Sequence, residues 1–220
     1  MKSRVYTLLF SIFLLATACG NTGRNKVDGT DAQAAATGEG QVLVVDTTAS
    51  VIRWTGFKPG GSHSGIIKIS EGTLTVNGEE ATAGSFTIDM NSIVNEDLTD
   101  AKMNKMLVDH LKSEDFFEVA KYPQSKFTIT KIEKSATPSD SVNYTISGNL
   151  KMKDVEKNIS FGAKINKEGE IYKAVSVPFS IDRTQWNVKY GSKSLFSELK
   201  DNFINDDIEL QITIEAKALQ

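Results

Sequence analysis

Cysteine occurs once in 220 residues, at position 19, which excludes any intrachain disulfide and any cysteine-based zinc cluster. Histidine occurs only as His63 and His110, without His-x-His or His-x-x-x-His spacing, so no metal site is expected. A basic excess is missing too. The 25 Lys and Arg residues face 28 Asp and Glu, for a net charge of −3, and no basic stripe stands out, which argues against a nucleic-acid partner. With 4 prolines and 16 glycines, collagen-like and proline-rich linker classes are out. There is no phosphate-binding glycine loop, no paired-carboxylate signature and no internal repeat. No catalytic residue and no cofactor is therefore assigned. What the chain does have is 40% hydrophobic residues, more than a fully disordered protein carries.

The first residues bear on the compartment. Lys2 and Arg4 precede an apolar run from Val5 to Ala16, interrupted only by Thr7 and Ser11. That run is too short to span a bilayer comfortably and fits the core of a secretory signal over residues 1–18. Small residues then lead into Cys19, an arrangement that resembles a bacterial lipobox, with Ala16 at the usual leucine position. Such a cysteine becomes the first residue of the mature chain and carries diacylglyceryl and amide-linked acyl groups. Two or more acyl chains make attachment stable where one does not. The expected location is the cell envelope, lipid-anchored and extracytoplasmic, at the outer membrane or another periplasm-facing membrane. Gly20, rather than an aspartate, follows the cysteine and leaves the choice of membrane open. Cleavage removes Lys2 and Arg4 and no acid, taking the net charge from −3 to −5. Residues 19–41 then form a lipidated cysteine and a flexible tether. They lack aromatic residues and contain one large aliphatic, Val27, too little to offset ordering entropy.

Residues 42–220 read as one folded domain of alternating strands. Ile208, Leu210, Ile212, Ile214 and Ala216 share one face, and polar residues share the other. Tyr144 to Met152 and Ile159 to Ile165 alternate in the same way, as does a series of Val175, Val177, Phe179 and Ile181. Shorter candidates are Val51 to Phe57, Ile66 to Val76, Phe86 to Met90 and Lys126 to Ile132. Asn77-Gly78 and Glu168-Gly169 suit tight turns, and Lys153 to Lys157 suits a hairpin connection. One segment has helical spacing. Thr99 or Asp100 caps it, and Met103, Met106, Leu107, His110 and Leu111 fall on one stripe, read as core packing. Ser113 offers a second cap, and a further helical turn fits Ser194 to Phe203. Eight or so antiparallel strands either stack as two sheets or close into a barrel, and periodicity does not choose between them.

Four segments carry a family resemblance. They are Trp54-Thr55-Gly56-Phe57-Lys58 with Ser62-His63-Ser64-Gly65; Asp109 to Phe117 with Tyr122-Pro123 and Phe127; Gly148 to Lys157; and Ile181-Asp182-Arg183-Thr184-Gln185-Trp186-Asn187-Val188. In this order they resemble the YceI family of extracytoplasmic proteins, with Asp154 standing where that family usually has glycine. The resemblance implies an all-β, antiparallel, lipocalin-like barrel of about eight strands with a short helical insertion. It also implies an apolar tunnel for a polyisoprenoid or similar amphiphile, and no shared catalytic reaction. The implied partners are an isoprenoid-like lipid and, through the anchor, a membrane. A homodimer is a candidate assembly.

Burying about ten methylenes at ~0.8 kcal/mol each contributes roughly 8 kcal/mol before ordering costs. A neutral hydrogen bond adds about 1 kcal/mol, so an apolar wall sets affinity and polar groups at the mouth set orientation. The bulky lining candidates are Trp54, Phe86, Phe127, Ile146, Phe161, Phe179 and Trp186. Each also suits a solid core, and a solid barrel would turn the reading toward a non-catalytic envelope lipoprotein that binds proteins through its outer surface. His63 and Arg183 are the head-group candidates. The simpler reading of His63 is a hydrogen-bonded strand residue, and that of Arg183 is a corner salt bridge with Asp182. Gly61-Ser62-His63-Ser64-Gly65 is not a nucleophile elbow, because its central residue is histidine. His110 reads as a satisfied, half-buried residue of the helix.

Overall fold

A computed structural model of the chain describes residues 25–218. Cys19 and the signal segment lie outside the described residues. The elements in order are strands β1 (Lys26–Val27), β2 (Thr30–Asp31), β3 (Gln41–Val45), β4 (Val51–Lys58), β5 (Gly61–Asn77) and β6 (Glu80–Asn95), helix α1 (Ala101–Lys112), and strands β7 (Gln124–Ser139), β8 (Val142–Met152), β9 (Val155–Glu168), β10 (Ile171–Ser176), β11 (Phe179–Asp182) and β12 (Asp207–Lys217). From β5 to β10 each strand pairs antiparallel with the next. β10 and β11 both pair with β12. β12 then closes the ring on β4, from Ile208 opposite Gly56 to Thr213 opposite Val51, and on β3 at Ala216 opposite Val45. β3 and β4 share one wall position against β5, as β10 and β11 do against β12, so the wall is the expected closed antiparallel barrel. The ring is narrowest at β6 and β7, which pair only over Ser85–Asp89 and Gln124–Thr128.

The turns follow their local chemistry. Gly78 and Gly169 take φ of 63° and 62° at two hairpin tips, a region that costs glycine nothing. At the β8–β9 turn, where the family has glycine, Lys153 carries a φ of 54° and Asp154 accepts from Asn187 Nδ2 at 3.1 Å. Strand pairing resumes at Val155, so the connection is shorter than the expected Lys153–Lys157. Asp100 caps α1, its Oδ1 accepting from the Met103 amide at 2.8 Å. Past Ser113 the chain makes turns rather than a second helix, and the turn expected within Ser194–Phe203 is a 3₁₀ turn at Ser197–Leu199.

Three expectations are corrected. The series from Val175 to Ile181 is not one alternating strand. It breaks at Val177-Pro178, where the Val177 amide bonds Gly162 O at 3.0 Å and proline has no N–H to offer the ladder. The break shifts the parity, so Ala174, Ser176 and Phe179 face the interior in place of Val175 and Val177. Met103 and Met106 are 52% and 56% exposed and are not core; the inward face of α1 is carried by Leu107 and Leu111. From Lys26 the expected tether instead lies along the outside of the barrel. β1 runs parallel to β11 and β2 pairs with β9. Asn149 grips the Gln33 backbone in both directions, at 3.0 and 2.7 Å, and Ala36 N reaches Ile129 O at 2.9 Å. Polar backbone contacts, not apolar burial, hold this strap, which is why its composition suggested a tether.

Candidate functional site

The inward faces of the strands do not fill the barrel. An inner chamber of about 90 Å³ is walled by β4 to β12, and every lining side chain but Ser176 is apolar. Ser176 Oγ accepts the Ile212 amide at 2.9 Å, so even this hydroxyl is engaged with the wall. Phe161 stacks on Phe179 with centroids 4.4 Å apart and rings 2° from parallel, and Phe127 lies 5.7 Å from Phe161. Gly148 makes this possible, because a Cβ there would collide with the Phe127 ring.

An outer chamber of about 310 Å³ continues the space. Ile52, Ile88, Leu150 and Leu210 belong to both walls and form the neck between the chambers. Leu107 and Leu111 of α1, with Phe116 and Phe117 after it, cover the outer chamber. Polar groups collect only in this chamber, as Lys58, His63, His110, Ser125 and Arg183. Lys58 is exposed and the two histidines are partly exposed, which marks this end as the mouth.

Most of the sequence-derived lining residues meet here. Phe86, Phe127, Ile146, Phe161 and Phe179 line the inner chamber, and Trp54 lines the outer one. The Trp54 indole N–H is buried without a hydrogen-bond partner among the described residues. Trp186 is the exception. It is 0% exposed, donates to Leu150 O at 3.0 Å, and belongs to neither chamber wall. Its indole fastens the corner after β11 to the outside of the barrel.

His63 and Arg183 both reach the outer chamber but differ in freedom. His63 Nδ1 and Asp97 Oδ2 are 2.9 Å apart. Burial alone would raise the Asp97 carboxyl, but the Ser64 amide, His63 and Asn95 outweigh it and hold the group below its ordinary value. Arg183 is 1% exposed and donates to Asn205 O, Val188 O and Ile204 O at 3.0, 2.7 and 3.1 Å. Burial lowers its guanidinium pKa, opposed by Asp206 and Asp182. Its carboxylate neighbour is Asp206, at 3.9 Å; the expected partner Asp182 instead caps a second 3₁₀ turn, Arg183–Trp186, through the Thr184 amide and hydroxyl. Arg183 therefore ties the β11–β12 connection together and presents little free donor capacity to a ligand. Lys153, at the β8–β9 turn, is 10% exposed at its side chain and bridges Phe116 O, Asn187 O and Glu118. His110 packs edge-on against Phe116 and Tyr190, as a half-buried residue of α1.

The sequence reading missed Ile93 in the outer wall, and Ala174 and Ser176 in the inner one. Ile93 is out of step with Phe86, Ile88 and Met90, so extending that alternation would have skipped it.

Known proteins share this architecture. The solved structure of BcnA from Burkholderia cenocepacia superposes with a TM-score of 0.57 at 19% identity, covering 78% of this chain and 98% of that one. A polyisoprenoid binding domain from Saccharophagus degradans, described as implicated in plant cell wall breakdown, gives 0.57 at 15% identity, over 80% and 98%. These likenesses show the fold. Protein YceI of Salmonella arizonae and its counterpart in Salmonella paratyphi B are each 33% identical over 108 residues, which is 48% of this chain and 50% of theirs. The chain thus spans about half the length of these relatives. The family model described as YceI-like domain matches residues 43–216, from β3 to the end of the closing strand β12. The chain belongs to the YceI-like domain family.

Proposed function

We propose that this protein is an extracytoplasmic lipoprotein that holds a polyisoprenoid or similar amphiphilic lipid in its barrel. The observation that carries this reading is the continuous two-chamber cavity, apolar in its inner part but for the engaged Ser176, with the charged groups at the mouth. An apolar cavity of about 150 Å³ accommodates benzene, so the two chambers suit roughly three isoprene units without repacking. The tail lies in the inner chamber and the polar end stays near His63 and the unpartnered Trp54 N–H. The Saccharophagus relative, described as a polyisoprenoid binding domain, supports the same ligand class. Cys19 is the proposed acylation site, and the lipobox-like residues before it support an envelope compartment and attachment to a membrane. The role is carriage, not catalysis.

A geranylgeranyl analogue with a diazirine on its tail tests the site. Crosslinks on β8, β9 and β12 are expected; crosslinks confined to the outer surface overturn the tunnel reading. Labelled palmitate should enter the wild-type chain and not Cys19→Ala. Incorporation in neither overturns the anchor.

A further inference from the structure

The tunnel has two ends, and the chain enters at one of them. Lys26, the first residue of β1, holds Asp207 at 2.7 Å, and Val27 lies beside Ile181. Asp207 begins β12 and Ile181 lines the outer chamber, so this entry point is at the mouth. From there the strap crosses β9, β8 and β7 and reaches the far end only at Gln41, opposite Val76. Between Cys19 and Lys26 the chain can extend at most ~25 Å at about 3.6 Å per residue. β12 alone, with 11 residues, spans about 36 Å at ~3.3 Å each. An anchor at Cys19 therefore keeps the mouth within ~25 Å of the bilayer, a bound that the far end does not share.

The exposed apolar side chains gather at the same end. Met103 and Met106, 52% and 56% exposed, lie on α1 one turn before Leu107 and His110, which line the chamber. Tyr190, 45% exposed, packs on His110 one turn beyond Met106. Leu195 and Phe196, 49% and 39% exposed, lie in the connection from β11 to β12, which the Ser192–Ile204 bridge folds back beside the chamber wall. Among the described residues the far end shows only Val42 and Ile171 as large exposed apolar side chains, on different strands. Exposed charges of both signs, Lys102, Lys105, Lys193 and Lys200 with Asp100, Asp109, Glu198 and Asp201, are interleaved with the mouth residues. Apolar side chains amid balanced charge suit a surface lying at the head-group boundary of a zwitterionic bilayer.

We propose that the rim made by α1 and the β11–β12 connection rests on the phospholipid bilayer that holds the anchored chain, so that the tunnel opens directly onto lipid. The proposal rests on the lipoprotein reading above. Its consequence is exchange of cargo with the membrane without passage of the apolar tail through water.

The test uses the full chain bound to phosphatidylcholine vesicles that contain brominated acyl chains. Leu195→Cys and Ile171→Cys, exposed apolar positions at opposite ends, each carry a nitrobenzoxadiazole label; acylation blocks Cys19 from taking the dye. The label at 195 should lose most of its emission and the label at 171 should keep it. Vesicle-bound protein with neither label quenched, or with only 171 quenched, overturns rim docking and leaves the anchor and the tunnel standing; the apolar rim would then face a protein. A chain that stays off the vesicles and takes dye at Cys19 overturns the anchor and this proposal together.

Discussion

Ala163→Leu separates an open barrel from a filled one. Ala163 is 1% exposed, sits on β9 between Tyr144 and Ser176, and lines the inner chamber. Leucine adds three carbons. In a close-packed core that overpacking costs about 1–3 kcal/mol, through strained rotamers and backbone shifts. Here the carbons enter an existing space of about 90 Å³, and urea unfolding should change by less than roughly 1 kcal/mol. The ligand bears the effect instead. About three tail carbons are displaced, at ~0.8 kcal/mol each, so geranylgeraniol should bind roughly fifty-fold more weakly. Titration followed by tryptophan emission reads this, since Trp54 lines the outer chamber. Geraniol, short enough for the outer chamber, should keep its affinity. A stability loss of about 1–3 kcal/mol with unchanged binding of both alcohols would refute the reasoning, because the site would then be solid core.

Gly148→Ala should destabilise the barrel by about 1–3 kcal/mol in urea, since the new Cβ meets the Phe127 ring; an unchanged midpoint contradicts that contact. Arg183→Leu removes three charge-assisted bonds to backbone carbonyls and strands Asp206, at a cost of about 3–5 kcal/mol. Arg183→Lys should rescue little of it, because a point charge cannot reach three directions. Unaltered melting with altered head-group preference would show that Arg183 is a ligand-binding residue after all. Asn149→Ala leaves the Gln33 backbone without its partners, and amide exchange should rise over 26–36 with the barrel still protected; a uniform response would mean that strap and barrel unfold as one. Asp97 has a folded pKa below its ordinary value of 3.8, so its contribution is full above that value and is lost as pH falls through the lower folded pKa. The acid limb of stability should flatten in Asp97→Asn, and an identical limb in both proteins would contradict the His63–Asp97–Ser64 cluster.

The strand walls were legible because one face of each strand meets an apolar space and the other meets water. β8, β9 and β12 alternate as their residues suggest. Alternation fails at Val177-Pro178 for a local reason, a proline that interrupts the ladder, and there the wrong residues were assigned inward. The strap over 26–36 was invisible to hydropathy because Asn149, Asn158 and backbone groups hold it. On α1 the helical period was right, and so was the face from Leu107 on: Leu107, His110 and Leu111 line the chamber, while Met103 and Met106, one turn earlier on the same stripe, are exposed. Whether the aromatic residues filled the barrel or lined a space was beyond the sequence. Burial is the same in both cases, and Phe161 is 7% exposed beside a cavity. Trp186 shows the converse, an aromatic residue of a family segment used to fasten a corner.

Native mass spectrometry with organic extraction tests the central claim most directly. The full chain is isolated from the envelope of its host without added lipid and sprayed intact. The account predicts one long-chain apolar molecule per chain, released by organic solvent and displaced in the presence of excess geranylgeraniol. A mass equal to the chain and its acyl groups alone, unchanged after incubation with polyprenyl lipids and quinones, would contradict it.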